Sequence, residues 1–403
     1  MARGRGGFIG QDGLNAPDSP TGVTGTAGGG QVSVAFTAPT DVGGSAITGF
    51  RVQDGTNAHG ASGASSPIIV TGLTNGTAYT FNVWAINAFG YSAPSDASGS
   101  VTPVVSVADR GLFALGYVYG YSNVINYLDL TSAGNASDFG DLTVSGDAGD
   151  AVASTTRAVF GSRYNGSWGN TMDYVTIDTT GNATDFGDML LSKRRYGAAS
   201  NNTRGIFTGG NVSGNTIKND MEYCTIASTG NNSDFGNNTY NRQSLGACSS
   251  PTRALFGGGY SSGDGTDTNG IDYVTIASTG NGTDFGDLTV ARQCDAASSN
   301  TRGLWFGGYS NPSSAYMNTI DYVTIASTGN ATDFGDMTSI TSRRNATSNS
   351  TNAVSNITDS SGTSQNTLEF VVIASTGNAT DFGDLTSIAR GSGATSGGHG
   401  GLS

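Results

Sequence analysis

Charge is scarce in this chain. Only 12% of its 403 residues are Asp, Glu, Lys or Arg, and 31 acids against 18 bases leave a formal net charge of −13. Nucleic-acid binding wants a basic face, so that class of function is excluded. Histidine is scarcer still: His59 and His399 have no partner beside them in sequence. A catalytic triad, a zinc site or a copper site needs more ligands than that, so the expectation is a non-enzyme with no cofactor. The three cysteines (Cys224, Cys248 and Cys294) are an odd number without metal-ligand spacing and suggest no disulfide framework. Cys224 stands where other copies of its strand carry Val, so it reads as a small hydrophobe. No apolar run could span a bilayer, and residues 1–10 contain no stretch of signal-peptide length. Synthesis in a cytoplasm, without membrane insertion, is the expectation.

What is abundant is glycine, 63 residues of it, with serine, threonine and asparagine. Such a composition without pattern would mean disorder. Here the 36% of apolar residues falls in short regular runs, which argues for an all-β protein. The dominant pattern is a repeated phrase, Gly-Asn-x-(Ser/Thr)-Asp-Phe-Gly-(Asp/Asn). Its phenylalanines are Phe139, Phe186, Phe235, Phe285, Phe334 and Phe382, spaced by 47, 49, 50, 49 and 48 residues. That period suits a four-stranded propeller blade.

The copy ending at Phe334 gives the strands: Arg292 to Ser299 with small residues, Arg302–Tyr309, Ile320–Ala326 (apolar on both faces) and Ala331–Thr338. Small residues suit an innermost strand crowded around an axis. This order of Arg, small residues, aliphatic strand, Gly-Gly-Tyr and Tyr strand resembles the kelch repeat. Phe replaces the kelch tryptophan, and the double glycine is intact only at Gly209-Gly210, Gly257-Gly258 and Gly307-Gly308. The tail from Arg390 to Leu402 matches a first strand, whereas the first copy starts at Asp109-Arg-Gly-Leu112 without one. The resemblance therefore implies a six-bladed kelch-like β-propeller over residues 104–403, closed by the C-terminal strand.

Residues 17–103 carry short β-rich runs between Gly/Pro/Asn turns, at Gln31–Phe36, Ile47–Val52, Ser66–Val70 and Tyr79–Asn87. Leu73 followed by Tyr79 looks like a tyrosine corner, and the Ala-Pro-Thr-Asp-Val-Gly-Gly-Ser stretch from Ala38 precedes Ile47. The segment resembles a fibronectin type III sandwich, with Phe36 where the family usually has a core tryptophan. Residues 1–16 form a Gly/Arg-rich arm with two readings, a disordered terminus or a docking peptide built on Arg3, Arg5, Phe8 and Ile9.

Several motifs invite functional readings. Asp-Phe-Gly is a kinase element, but six copies without a catalytic loop make it a strand and a turn. Asn135, Asn182, Asn231, Asn281, Asn330 and Asn378 begin Asn-x-Ser/Thr triplets, read here as turn residues tolerant of positive φ. The aspartates flanking each Phe could bind Ca²⁺ or meet Arg157, Arg204, Arg253 and Arg302 in ion pairs, and the structural role is preferred. Function belongs where copies differ, in the loops between second and third strands. Their aromatic residues, Tyr119, Tyr121, Trp168, Tyr260 and Tyr316, could stack on sugar rings while neighbouring amides and carboxylates bond hydroxyls.

An arm without an export signal, a fibronectin type III module and a ring of near-identical units together resemble tailed-bacteriophage virion proteins. The resemblance implies a viral structural protein, located in the virion, whose arm docks on other virion proteins. The propeller would be displayed for host attachment as a tail fibre component, with a host-surface glycan as ligand. Capsid decoration is the alternative, and a bacterial surface adhesin a second one. Oligomeric state stays open.

Overall fold

The computed structural model describes residues 15–118, 120–147, 149–341, 345–358, 364–388 and 393–402. The chain divides into two compact units, Met1–Ser106 and Val107–Ser403. Among the described residues all regular structure is β apart from one short 3-10 turn, Val107–Asp109.

The first unit is a two-sheet sandwich. One sheet pairs Thr21–Gly28, Gln31–Thr37 and Ile68–Thr71; the other pairs Gly60–Gly63, Gly49–Asp54, Phe81–Asn87 and Gly90–Tyr91. Alternation decides which face is buried: Val32, Val34 and Phe36 point inward from one strand, Phe81, Val83 and Ala85 from another. Phe36 fills the core against Phe50, with ring centroids 4.8 Å apart. The Tyr79 hydroxyl accepts a bond from the Thr74 N–H at 3.1 Å, as a tyrosine corner requires.

The second unit contains six four-stranded antiparallel sheets. In the copy ending at Phe334 the strands are Gln293–Ser298, Arg302–Ser310, Ala315–Thr324 and Thr332–Thr341, adjacent in that order. The third strand begins earlier than its sequence suggests because the connecting loop also pairs, Tyr309 opposite Tyr316. One sheet takes strands from both ends of the unit. Gly393–Ser396 pairs with Arg110–Ala114, in the register Gly393 opposite Ala114 and Ser396 opposite Gly111.

Each sheet packs on the next through its own apolar cluster. The six repeat phenylalanines are each 2% exposed, and such burial contributes roughly 1.5–3 kcal/mol per ring. Phe382, Leu368 and Val354 of the last sheet pack on Phe113 and Leu128 of the first.

Polar contacts repeat with the same period. The Gly181 N–H donates to Phe139 O and the Ala183 N–H to Asp141 O, while the Asn182 side chain accepts the Asp141 N–H at 3.0 Å. A Gly-Asn turn thus satisfies the outer strand of the sheet before it. The same contacts recur at each step, and the turn at Gly134-Asn135 makes them to Phe382 and Asp384 of the last sheet. The six asparagines therefore act through their side chains on a neighbouring strand, and none is among the residues with positive φ. The glycine of Asp-Phe-Gly lies in the left-handed half of backbone space, as at Gly236 with φ of 140°. A Cβ there would overlap the carbonyl of Gly280 in the approaching turn.

Two expectations about charge need correction. The recurring arginines do not pair with the aspartates beside the phenylalanines. Arg157 lies over the Tyr174 ring, 4.2 Å from its centroid, and donates to Ile226 O of the next sheet at 3.0 Å. Arg110, Arg204, Arg253 and Arg302 do the same with Ile177, Ile276, Ile325 and Ile373, and Asn352 replaces them with a bond to Leu130 O. Nor is the third strand apolar on both faces. It carries a buried acid, Asp173, Glu222, Asp272, Asp321 or Glu369, with Asn126 in the first copy. Four of these meet cations: Arg163 at 2.5 Å, Lys193 at 2.6 Å, Arg242 at 2.8 Å and Arg292 at 2.7 Å. Each third-strand residue also accepts from the segment that follows the preceding outer strand, as Asp272 does from Thr239 and Asn126 from Thr386. Deleting one partner of such a pair costs about 3–5 kcal/mol, because the other charge is left buried alone.

Gly236→Ala should lower stability by about 1–3 kcal/mol from backbone strain, with further loss from the clash. Urea unfolding of the two proteins checks this, and an unchanged midpoint would show that the turn does not seat against Gly236.

Candidate functional site

The loops between second and third strands do not repeat, and one group of them builds an aromatic cluster. In the first copy Tyr117–Val118 pairs with Gly120–Tyr121, which sets Tyr121 opposite Tyr117 with centroids 5.4 Å apart. In the second copy Tyr164 bridges to both Asp147 and Trp168. Tyr121 meets Tyr164 edge-on at 6.2 Å, and Tyr164 meets Trp168 at 5.4 Å. Arg194, on the strand leading into the third sheet, lays its guanidinium 4.3 Å from the Tyr164 centroid and 5.1 Å from that of Trp168. Tyr121 is 37% exposed, and the other members are half-buried. Burial, then the carboxylate of Asp147, raises the Tyr121 phenol above its usual range.

Of the aromatic residues singled out from the sequence, Tyr121 and Trp168 come together here. Tyr316 is elsewhere, against Tyr309 at 5.1 Å, and Tyr260 sits in a separate ribbon with Arg242–Gln243 and Thr266–Asp267. Tyr119, Arg3, Arg5, Phe8 and Ile9 lie outside the described residues. Tyr117, Tyr164 and Arg194 were not singled out. The alternating Tyr117-x-Tyr-x-Tyr121 was a usable signal, since a short hairpin sets its end residues face to face.

A cavity of about 40 Å³ lies among the first strands. Asp150 and Asp295 line it, each accepting a backbone N–H from its own sheet and one from the next. Burial, and secondly the charge of Asp295, holds the Asp150 carboxyl well above the ordinary range. Further along the same strands the Ser200, Ser249, Ser298, Ser348 and Ser396 hydroxyls each donate to a carbonyl of the preceding first strand. Ala153 breaks the row, and His399 fills in for the missing hydroxyl. Its Nε2 lies 3.3 Å from Ala153 O and 3.1 Å from Ser200 Oγ, while Nδ1 accepts the Gly401 N–H at 3.1 Å. Burial lowers the His399 pKa to about 4.

The other histidine also gains a partner on folding. His59 Nδ1 lies 3.1 Å from Asp54. Burial alone would raise the Asp54 pKa, but bonds from Thr56 and His59 bring it below the ordinary value. The Thr56 hydroxyl donates to the carboxylate, not to the imidazole, so the three residues do not form a nucleophile–base relay. The cysteines are free; Cys224 is buried among apolar side chains, which pushes its thiol up to about 12. Among the described residues no three His, Cys, Asp or Glu side chains gather as metal ligands, and no helix is long and apolar enough to cross a membrane.

Comparison with known proteins bears on the first unit. Residues 18–100 match the fibronectin type III domain, so the chain carries one at its N-terminal end. No curated protein matches this chain. Among solved structures, a crystal structure of domains from titin is similar at 30% identity, over 22% of this chain and 32% of that one, with a TM-score of 0.21.

Acid should test the His399 seat. A buried neutral imidazole contributes stability that is complete above pH 6.5 and is lost as pH falls towards 4, a loss of roughly 3 kcal/mol. Thermal unfolding of the native chain should therefore weaken between pH 7 and 4 more steeply than that of His399→Gln. Parallel pH profiles would mean that His399 is not buried neutral.

Proposed function

We propose that this chain is a non-enzymatic structural protein of a bacteriophage virion. Its N-terminal part docks on other virion proteins, and its six-sheet unit is displayed for attachment to the host surface as a tail or fibre component. The six sheets are read as the blades of a kelch-like β-propeller closed by the C-terminal strand. The cyclic run of Gly-Asn turns, arginine bonds and apolar clusters supports that reading, as does the sheet shared by the two ends of the unit.

One observation carries the binding role. The Gly-Asn turns repeat at every junction between sheets, whereas the cluster of Tyr117, Tyr121, Tyr164, Trp168 and Arg194 has no counterpart among the other described loops. A regular scaffold with one irregular aromatic end is how a binding protein is built. A capsid-decorating protein is the second reading, favoured by the fibronectin type III domain beside a repetitive unit.

Immunogold electron microscopy of particles from the source culture, with antibody against residues 107–403, tests the assignment. Label at a tail tip or fibre is the expected result, label over the head would favour decoration, and unlabelled particles would end the virion reading. Removal of residues 393–403 should lower the thermal midpoint by many degrees, because Arg110–Ala114 loses one of its two strand partners and the serine row its end. An unchanged midpoint would rule out closure by this strand.

A further inference from the structure

We propose that the cluster formed by Tyr117, Tyr121, Tyr164, Trp168 and Arg194 is a saccharide-binding subsite. This rests on the attachment reading above and gives it a place and a ligand chemistry. Three successive copies supply the residues: the first gives Tyr117 and Tyr121, the second Tyr164 and Trp168, and the strand into the third gives Arg194. The rings meet at steep angles, 86°, 82° and 66°, so they form a stepped surface and not one closed stack. Tyr121 remains 37% exposed at its edge.

Arg194 supplies the directional element. In this unit the buried Arg242 and Arg292 have carboxylate partners, Asp272 and Asp321. Among the described residues no side-chain carboxylate or carbonyl accepts from the Arg194 guanidinium, and the residue is half-buried. Stacking on Tyr164 and Trp168 fixes the plane of the group without using its N–H donors. A ligand that satisfies this surface needs flat C–H faces to lie against aromatic rings and, a few ångströms away, oxygen acceptors for a planar donor. A pyranose presents both, its hydroxyls or a uronate carboxylate being the acceptors. The phenol of Tyr121, beside Asp147, adds one further donor.

Affinity electrophoresis of the full chain through gels cast with dextran, with alginate and with purified bacterial lipopolysaccharide tests the subsite. These probes separate neutral hydroxyls, uronates and a natural surface polymer. Retardation in at least one gel is expected, weakened about tenfold or more by Tyr121→Ala, Trp168→Ala and Arg194→Gln. Tyr316→Ala, on a separate pair of rings, should bind as the native chain does. Thermal unfolding of each variant verifies folding, and Tyr121→Ala removes the most exposed ring should Trp168→Ala not fold. Migration unaffected by all three gels, or retardation that the cluster variants leave intact, would overturn the proposal. Adhesion of the labelled chain to host cells separates the two levels. Adhesion that survives the cluster variants leaves the attachment reading standing without this site, whereas no adhesion at all removes the attachment reading itself.

Discussion

A four-stranded sheet has two edges, and an unpaired edge invites association with any other strand. The second unit depends on how that exposure is managed. Its first strands are bound side by side through serine hydroxyls, and its fourth strands are covered by the Gly-Asn turn of the following copy. Three hydrogen bonds at each junction suffice because the turn comes close. That closeness requires glycine in Asp-Phe-Gly, where any Cβ would strike the carbonyl of the turn. The most regular phrase in the sequence is thus the two halves of one contact, donated by one copy and received by the copy before it.

The buried charges answer to a related constraint. Each third-strand acid ties the segment that leaves the previous outer strand, as Asp321 holds Thr289 while pairing with Arg292. A lone carboxylate in that position would be costly to bury. The first copy has Asn126 instead, which accepts from Thr386 without carrying a charge. That substitution falls in the sheet assembled from both ends of the unit, and in the last sheet, which packs on it, Asn352 stands in for arginine and donates to Leu130 O.

Regularity in the scaffold gives irregular residues their meaning. Ala153 interrupts the serine row, and the His399 imidazole lies against Ala153 O and Ser200 Oγ, so this histidine is a buried structural group. The two aspartates lining the cavity lie three residues before Ser298 and before Ala153, positions held elsewhere by glycine or asparagine. The aromatic cluster is the departure that leaves a ring, Tyr121, 37% exposed beside an arginine stacked on Tyr164 and Trp168.

Much of this was legible in the chain itself. The period of the phenylalanines and the alternation of Val32, Val34 and Phe36 specify sheets, because a buried strand face requires an apolar residue at every second position or on both sides. The match of the tail to a first strand indicated its partner, since backbone pairing depends on local pattern. What sequence could not decide was which polar groups meet. The arginines bond carbonyls of the next sheet and not the acids beside the phenylalanines, the third strands bury acids of their own, and nothing local distinguishes Tyr121 and Trp168 from Tyr260 and Tyr316. Hydrogen bonds and ring contacts join residues about fifty positions apart, or some 250 where the two ends of the unit meet. Only the packing of sheet against sheet brings those distances within three to six ångströms, and so only the tertiary structure chose the partners.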